Sequence, residues 1–208
     1  MNQQTRIVKV GRKYDQVLEG ARDVFLKDGF EGASVDDIAR EASVSKATLY
    51  SYFPDKRLLF REVVRTECER QACEADDMVL ADCEPARVLH ESARRLMEII
   101  MSDFSLRMFR ICVAEAGRFP ELGEEFYESG PLAFRERLEE YLEKATARGE
   151  LRIEDFELAA EQFLELCKAG WLMRAVFKHE RDLPEDEQEL YAREAVATFL
   201  ARYGTGTA

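Results

Sequence analysis

At 208 residues the chain is long enough to bury a substantial core, as one large domain or two small ones. Apolar residues at 46% and charged residues at 35% describe a globular mix rather than a disordered one. No apolar run approaches the roughly 18 residues needed to span a bilayer. The opening MNQQTRIVKVGRKY lacks a signal-peptide core, and the five cysteines show no CxxC spacing, so the expectation is a cytoplasmic protein without a disulfide framework.

The formal net charge of −12 is unevenly placed. Residues 1–65 carry 12 Lys/Arg against 10 Asp/Glu, and the remainder carries 18 against 32. Arg6, Lys9, Arg12 and Lys13 form a basic arm over residues 1–13. A mildly basic head on an acidic body suits a protein that offers one end to a polyanion. A charge fluctuation along an ordinary soluble chain is the plainer account.

Gly and Pro are sparse and fall between helical patterns, and no alternating β-branched run appears, so the chain reads as all-α with about nine to ten helices. The first is expected over residues 13–27, with Val17, Ala21, Val24 and Phe25 on one face and Gly29 as its C-cap. Ser34 then caps a short helix with Asp36 and Asp37 in its first turn, where carboxylates complement the helix dipole. Val35, Ile38, Ala39 and Ala42 share its apolar face. Ser43-Val44 interrupts the pattern, and Ser45 caps a third helix anchored by Leu49 and Phe53, with Lys46, Thr48, Tyr50 and Tyr52 projecting outward. A short helix, a tight turn and a polar, aromatic second helix make a helix-turn-helix suited to a major groove.

Pro54 is expected in the first turn of a long helix through Leu58, Leu59, Val63 and Val64 to about Leu80. Further helices are expected over residues 85–101, 104–118, 121–128 and 131–148. Asp155 caps a long one reaching Lys178, and the last spans residues 185–203 before a loose 204–208 tail. In the two final helices Phe163, Leu166, Ala169, Gly170, Met173 and Phe177, with Tyr191, Ala195 and Phe199, give more apolar face than one small bundle requires. That surface fits either a subunit interface or the monomer's own core.

Catalysis finds little support. The two histidines, His90 and His179, sit beside no nucleophile or metal-ligand arrangement, and no phosphate-binding or dinucleotide glycine pattern occurs. The pairs Glu124-Glu125 and Glu139-Glu140 read as solvated helix faces. No cofactor and no metal site is expected. Cys68, Cys73 and Cys83 leave a thiol- or metal-responsive regulator as an alternative, weighed against ordinary half-buried cysteines.

The stretch FEGASVDDIAREASVSKATLYSYFPDKRLLF, Phe30 to Phe60, resembles the DNA-binding head of TetR-family transcriptional regulators. The shared features are Phe30-Glu31-Gly32, Ile38-Ala39, the run Ser45 to Tyr50, and Phe53 followed by Asp55-Lys56 and Leu58-Leu59. Ala114 to Pro131 and Ala147 to Phe163 resemble the C-terminal domain of the AefR-like branch. The resemblance implies a DNA-binding domain over residues 1–60 and a helical regulatory and dimerisation domain over residues 61–203. It also implies a homodimer on a palindromic DNA operator, acting as a repressor and released by a small-molecule effector, with no membrane partner.

Carried over residue by residue, the resemblance implies that Lys46 and Thr48 meet base edges at the start of the recognition helix capped by Ser45. Tyr50, Tyr52 and Lys56 would grip phosphate, and Ser34 with the N–H groups it caps would face another. Tyr50 also fits a packing role. Many relatives carry Gly where this chain has Ser43, so a left-handed turn there would cost Ser roughly 1 kcal/mol. The effector pocket implied for the C-terminal domain has Phe104, Met108, Phe109, Cys112, Phe126, Phe134, Trp171 and Met173 as candidate lining, an adaptable apolar set that also reads as plain core.

Overall fold

The computed structural model describes residues 11–76, 83–178 and 183–206, excluding the side chains of 73–76. Most of the basic arm, Cys73's side chain, the stretch to Leu80, His179 and the last two residues therefore lie outside the described residues. The helices are α1 (Arg12–Gly32), α2 (Val35–Glu41), α3 (Lys46–Tyr52), α4 (Lys56–Asp76), α5 (Pro85–Met101) and α6 (Asp103–Glu115). They continue with α7 (Pro120–Tyr127), α8 (Ala133–Ala147), α9 (Phe156–Lys168), α10 (Trp171–Lys178) and α11 (Glu185–Tyr203). Among the described residues there is no strand, only an isolated antiparallel bridge between Leu151 and Gly204.

Several boundaries differ from expectation for local reasons. Pro54 precedes α4 rather than entering it, and Asp55 is the cap, its Oδ1 accepting from the N–H groups of Arg57 and Leu58 at 2.8 and 3.0 Å. Gly130-Pro131 does not end a helix. A π turn over Glu128–Leu132 carries Pro131 and joins α7 to α8. The expected helix from Asp155 to Lys178 is two helices, because Gly170 takes φ +82, a conformation open to glycine, between α9 and α10. The tail begins tied down rather than loose, with Arg152 N–H donating to Tyr203 O at 2.8 Å and Thr205 Oγ1 to Gly149 O at 3.2 Å.

The chain forms two compact units. The first contains the described residues up to Arg70 together with Arg107–Ser129. Its core is built from the expected stripe of α1 (Val17, Ala21, Val24 and Phe25) closing on Ile38, Ala39, Leu49, Phe53, Leu59, Phe60, Val63 and Val64. α1 and α2 approach so closely that a Cβ at Gly20 would lie 2.6 Å from the Ala42 nitrogen, so this position admits no side chain without backbone movement. Phe30 sits among Phe25, Phe60 and Phe119 with ring centroids 5.0–6.1 Å away. Arg57 and Arg61 of α4 face Glu121 and Glu125 of α7, at 3.5 and 2.8 Å. Arg107 of α6 reaches the Leu26 carbonyl of α1 at 3.2 Å. The residues of α6 and α7 thus pack with the helix-turn-helix, so the compact unit does not stop at residue 60.

The second unit contains the described residues of Gln71–Leu106 and Gly130–Ala208. α5, α8, α9 and α11 enclose its core, with Leu89, Met97, Leu142, Phe163, Trp171 and Phe199 among the residues shielded from solvent. Phe163 meets Phe199 edge-on at 5.3 Å, and Trp171 Nε1 donates to Cys167 O at 2.8 Å.

Candidate nucleic-acid interface

Two side-chain caps shape the helix-turn-helix. Ser34 Oγ accepts from Asp37 N–H at 3.1 Å and donates back to the Asp37 carboxylate, which also takes Arg40. The hydrogen bonds from Ser34 and then Arg40 hold the Asp37 carboxyl below the ordinary carboxylate range. Ser34 thus forms the expected N-cap, with its hydroxyl also turned to the Asp37 carboxylate. At the turn Ser43 adopts φ 53, the left-handed conformation anticipated where relatives carry glycine, and Val44 N–H returns to Ala39 O at 3.0 Å. Ser45 Oγ accepts from Thr48 N–H at 3.1 Å and lies 2.8 Å from Thr48 Oγ1. The sequence offers each cap at the right spacing, so both form as expected.

The recognition helix α3 has seven residues. An α-helix with its side chains is about 10–12 Å across, which fits a major groove about 12 Å wide. Leu49 and Phe53 are fully buried beneath it. Ser45, Lys46, Ala47, Tyr50 and Ser51 are exposed on the outside, Thr48 and Tyr52 half-buried. Tyr50 is 50% exposed, so packing does not account for it. Lys46 pairs with Asp36, with both side chains more than half exposed. Exposed pairs of this kind are worth about 0–1 kcal/mol, so Lys46 can exchange Asp36 for a nucleic-acid group at little cost.

Two residues are placed differently from expectation. Tyr52 leans edge-on against Tyr14, ring centroids 5.7 Å apart. Lys56 turns its Nζ to the carbonyls of Phe30, Ala33 and Glu31, at 2.6, 3.0 and 3.4 Å. Tyr14 was not anticipated. It is buried, stacks on Phe53 at 5.6 Å and donates its hydroxyl proton to the buried Glu62 carboxylate. Its spacing from Val17, Ala21 and Val24 extends the apolar stripe by one turn, which is the signal that could have found it.

The eight candidate pocket residues divide equally between the units: Met108, Phe109, Cys112 and Phe126 in the first, Phe104, Phe134, Trp171 and Met173 in the second. Met173 is 62% exposed and Phe109 37%. A cleft of about 460 Å³ does open in the second unit, between α5 and α11, lined by Ala86, Arg87, His90, Glu91, Arg193, Val196 and Ala197, none of them foreseen.

The expected interface residues also separate. Phe163, Ala195 and Phe199 belong to the core of the second unit, the second of the two readings that the sequence left open and not the interface. Leu166 and Tyr191 are half-buried against that core. Ala169, Gly170, Met173 and Phe177 face solvent, Phe177 at 72%, with Leu190 of α11 also exposed at 45%.

Cys68, Cys112 and Cys167 are buried, and burial pushes each thiol up to about 12. Cys83 is half-buried. A thiol that keeps its proton is a poor nucleophile and metal ligand, which weighs against a redox role for Cys68. No group of three His, Cys, Asp or Glu suited to a metal occurs among the described residues, and no helix among them is long and apolar enough to cross a membrane.

Comparison with known proteins agrees with this geometry. Residues 17–63 match the family described as bacterial regulatory proteins, tetR family, and residues 87–205 match the AefR-like transcriptional repressor C-terminal domain. A TetR-family regulator from Mesorhizobium loti superposes with a TM-score of 0.85 at 29% identity, covering 98% of this chain and 100% of that one. The flavonoid-responsive regulator FrrA gives a TM-score of 0.81 at 36% identity, covering 95% and 100%. In sequence, YhgD of Bacillus subtilis is 31% identical over 41% of this chain, and the match spans 42% of YhgD. The biofilm operon negative regulator IcaR of Staphylococcus aureus is 31% identical over 24% of this chain and 27% of its own length. With both halves matched, the chain belongs to the TetR family of transcriptional regulators, which are not enzymes, and carries an AefR-like C-terminal domain.

Proposed function

We propose that the chain is a homodimeric cytoplasmic repressor that binds a palindromic operator and leaves it when a small hydrophobic compound occupies the C-terminal domain. The observation that carries this reading is the outward face of α3, where Lys46, Ala47, Tyr50 and Ser51 stand exposed above the buried Leu49 and Phe53. Lys46 and Thr48 read base edges, Ala47 offers a methyl to thymine, and Tyr50 with Tyr52 holds register on the backbone. Two-fold symmetry then separates the half-sites by about one helical turn, on the order of 34 Å, or a multiple of it.

The exposed Met173 and Phe177, one turn apart on α10, support a second copy as partner, since large apolar groups together in solvent mark interaction surfaces. Similarity to a flavonoid-responsive regulator supports an aromatic effector, with Phe104, Phe134 and Trp171 as candidate contacts in the second unit. By linkage the effector must prefer the DNA-incompetent state, and DNA must weaken effector binding by the same factor. Selection of bound DNA from a random pool tests the proposal. An enriched palindrome is expected, and recovery without any enriched motif would refute it.

A further inference from the structure

Two carboxylates stand in the first turn of α2, and the chain uses them differently. Asp37 belongs to the Ser34 cap and to Arg40. Asp36 reaches across to the next helix instead and pairs with Lys46, the first residue of α3. Both side chains remain more than half exposed. The contact occupies one of the ammonium's three donors and leaves lone pairs on the carboxylate. An acid and a base thus stand side by side where the recognition helix begins, each able to make a further hydrogen bond.

The major groove presents a matching edge. In a G·C pair, N4 of cytosine donates to O6 of guanine at about 2.9 Å, and both groups also face the groove. In a T·A pair, O4 of thymine and N6 of adenine stand in the same relation. An ammonium–carboxylate pair laid against such an edge donates to the keto oxygen and accepts from the amino group, with its own contact still closed. Against the reversed pairs, C·G and A·T, the ammonium meets an amino group and the carboxylate a keto oxygen. Both contacts are then repulsive.

We infer that Asp36 is a specificity-determining residue: joined to Lys46, it reads one base pair of each half-site, accepting G or T on the strand that faces Lys46 and rejecting C and A. Guanine is favoured over thymine because its N7 gives the ammonium a second acceptor. The pair is neutral, so it discriminates between sequences while adding little to the salt-dependent attraction for phosphate.

This inference rests on the DNA-binding reading. Its test is selection of bound DNA from a random pool by wild type, by Asp36→Asn, and by the exchanged variant Asp36→Lys with Lys46→Asp. Wild type should show a position that holds G or T over C and A by about tenfold or more. The exchange should invert that position to C or A. Its slope of log affinity against log salt should stay parallel to wild type, because the net charge is unchanged. An asparagine amide both donates and accepts, so Asp36→Asn should flatten that position and leave the others as they were.

A wild-type motif without such a position, or one whose preference survives in Asp36→Asn, overturns the inference. So does an exchanged variant that is helical by circular dichroism yet keeps the wild-type preference or selects no motif. Enrichment of no motif by wild type itself would sink the DNA-binding reading beneath it.

Discussion

Tyr14 donates its phenolic proton to the buried carboxylate of Glu62, joining the first turn of α1 to α4 beneath the recognition helix. Glu62 also takes Arg65, whose Nε lies 3.1 Å from it. The same Tyr14 ring touches both Tyr52 and Phe53, where α3 ends. Tyr14→Phe preserves these ring contacts and removes one donor from a desolvated anion. A loss of about 1–3 kcal/mol in unfolding free energy is expected. Urea titration checks it, and an unchanged midpoint would show that Glu62 does not depend on the Tyr14 hydroxyl.

Ser43 sits at φ 53, where a side chain costs roughly 1–2 kcal/mol. Glycine removes that strain but enlarges the unfolded ensemble at a cost of about 0.5–1 kcal/mol. Ser43→Gly should therefore raise stability by up to roughly 1.5 kcal/mol with operator preference intact. A lower thermal midpoint in the variant would contradict this.

Cys68, Cys112 and Cys167 share one pH signature. Burial raises each thiol from an ordinary 9.0 to about 12, so the folded chain keeps protons that the unfolded chain releases. Stability is whole below pH 9 and declines as pH climbs from there toward 12, by on the order of 1 kcal/mol per thiol per pH unit. Comparing denaturant midpoints at pH 8 and pH 10.5 should show the decline, and Cys68→Ala should make it shallower.

On the exposed face of α10, Met173→Glu with Phe177→Glu should shift the chain toward monomer in sedimentation equilibrium while leaving the helical circular dichroism intact, since both side chains lie in solvent. Phe163→Ala should do the reverse. Its ring is fully buried, so a loss of about 3–5 kcal/mol in fold stability is expected instead. Dimers that survive the double charge substitution would move the interface elsewhere.

Thr48, with its hydroxyl beside Ser45, is the candidate reader of a single base position. Thr48→Ala should relax preference there by about 1–3 kcal/mol and leave the salt dependence unchanged. Repeating the random-pool selection on the variant measures both the position and the extent of the change.

What the chain disclosed in sequence was local. Ser34, Ser45 and Asp155 cap helices through bonds to residues three positions on, so spacing alone reveals them. The strained turn at Ser43 was equally legible. Lys56 was not, because its acceptors lie more than twenty residues upstream and a lysine opening a helix reads as a surface charge. Phe163 and Phe199 show another limit: an apolar stripe reveals how much surface must be covered but not whether the cover comes from the same chain. The break at Gly170 was hidden because the apolar periodicity runs on through it.

Arg57 and Arg61 of α4 facing Glu121 and Glu125 of α7 have a practical meaning for hybrid regulators. A single crossover just after Arg61 would carry both arginines into the hybrid and leave both glutamates behind. It would also strip Phe119 from the face of Phe30. The transplantable DNA-reading part is discontinuous in sequence, residues 11–70 with 107–129, and a successful graft has to move both pieces together.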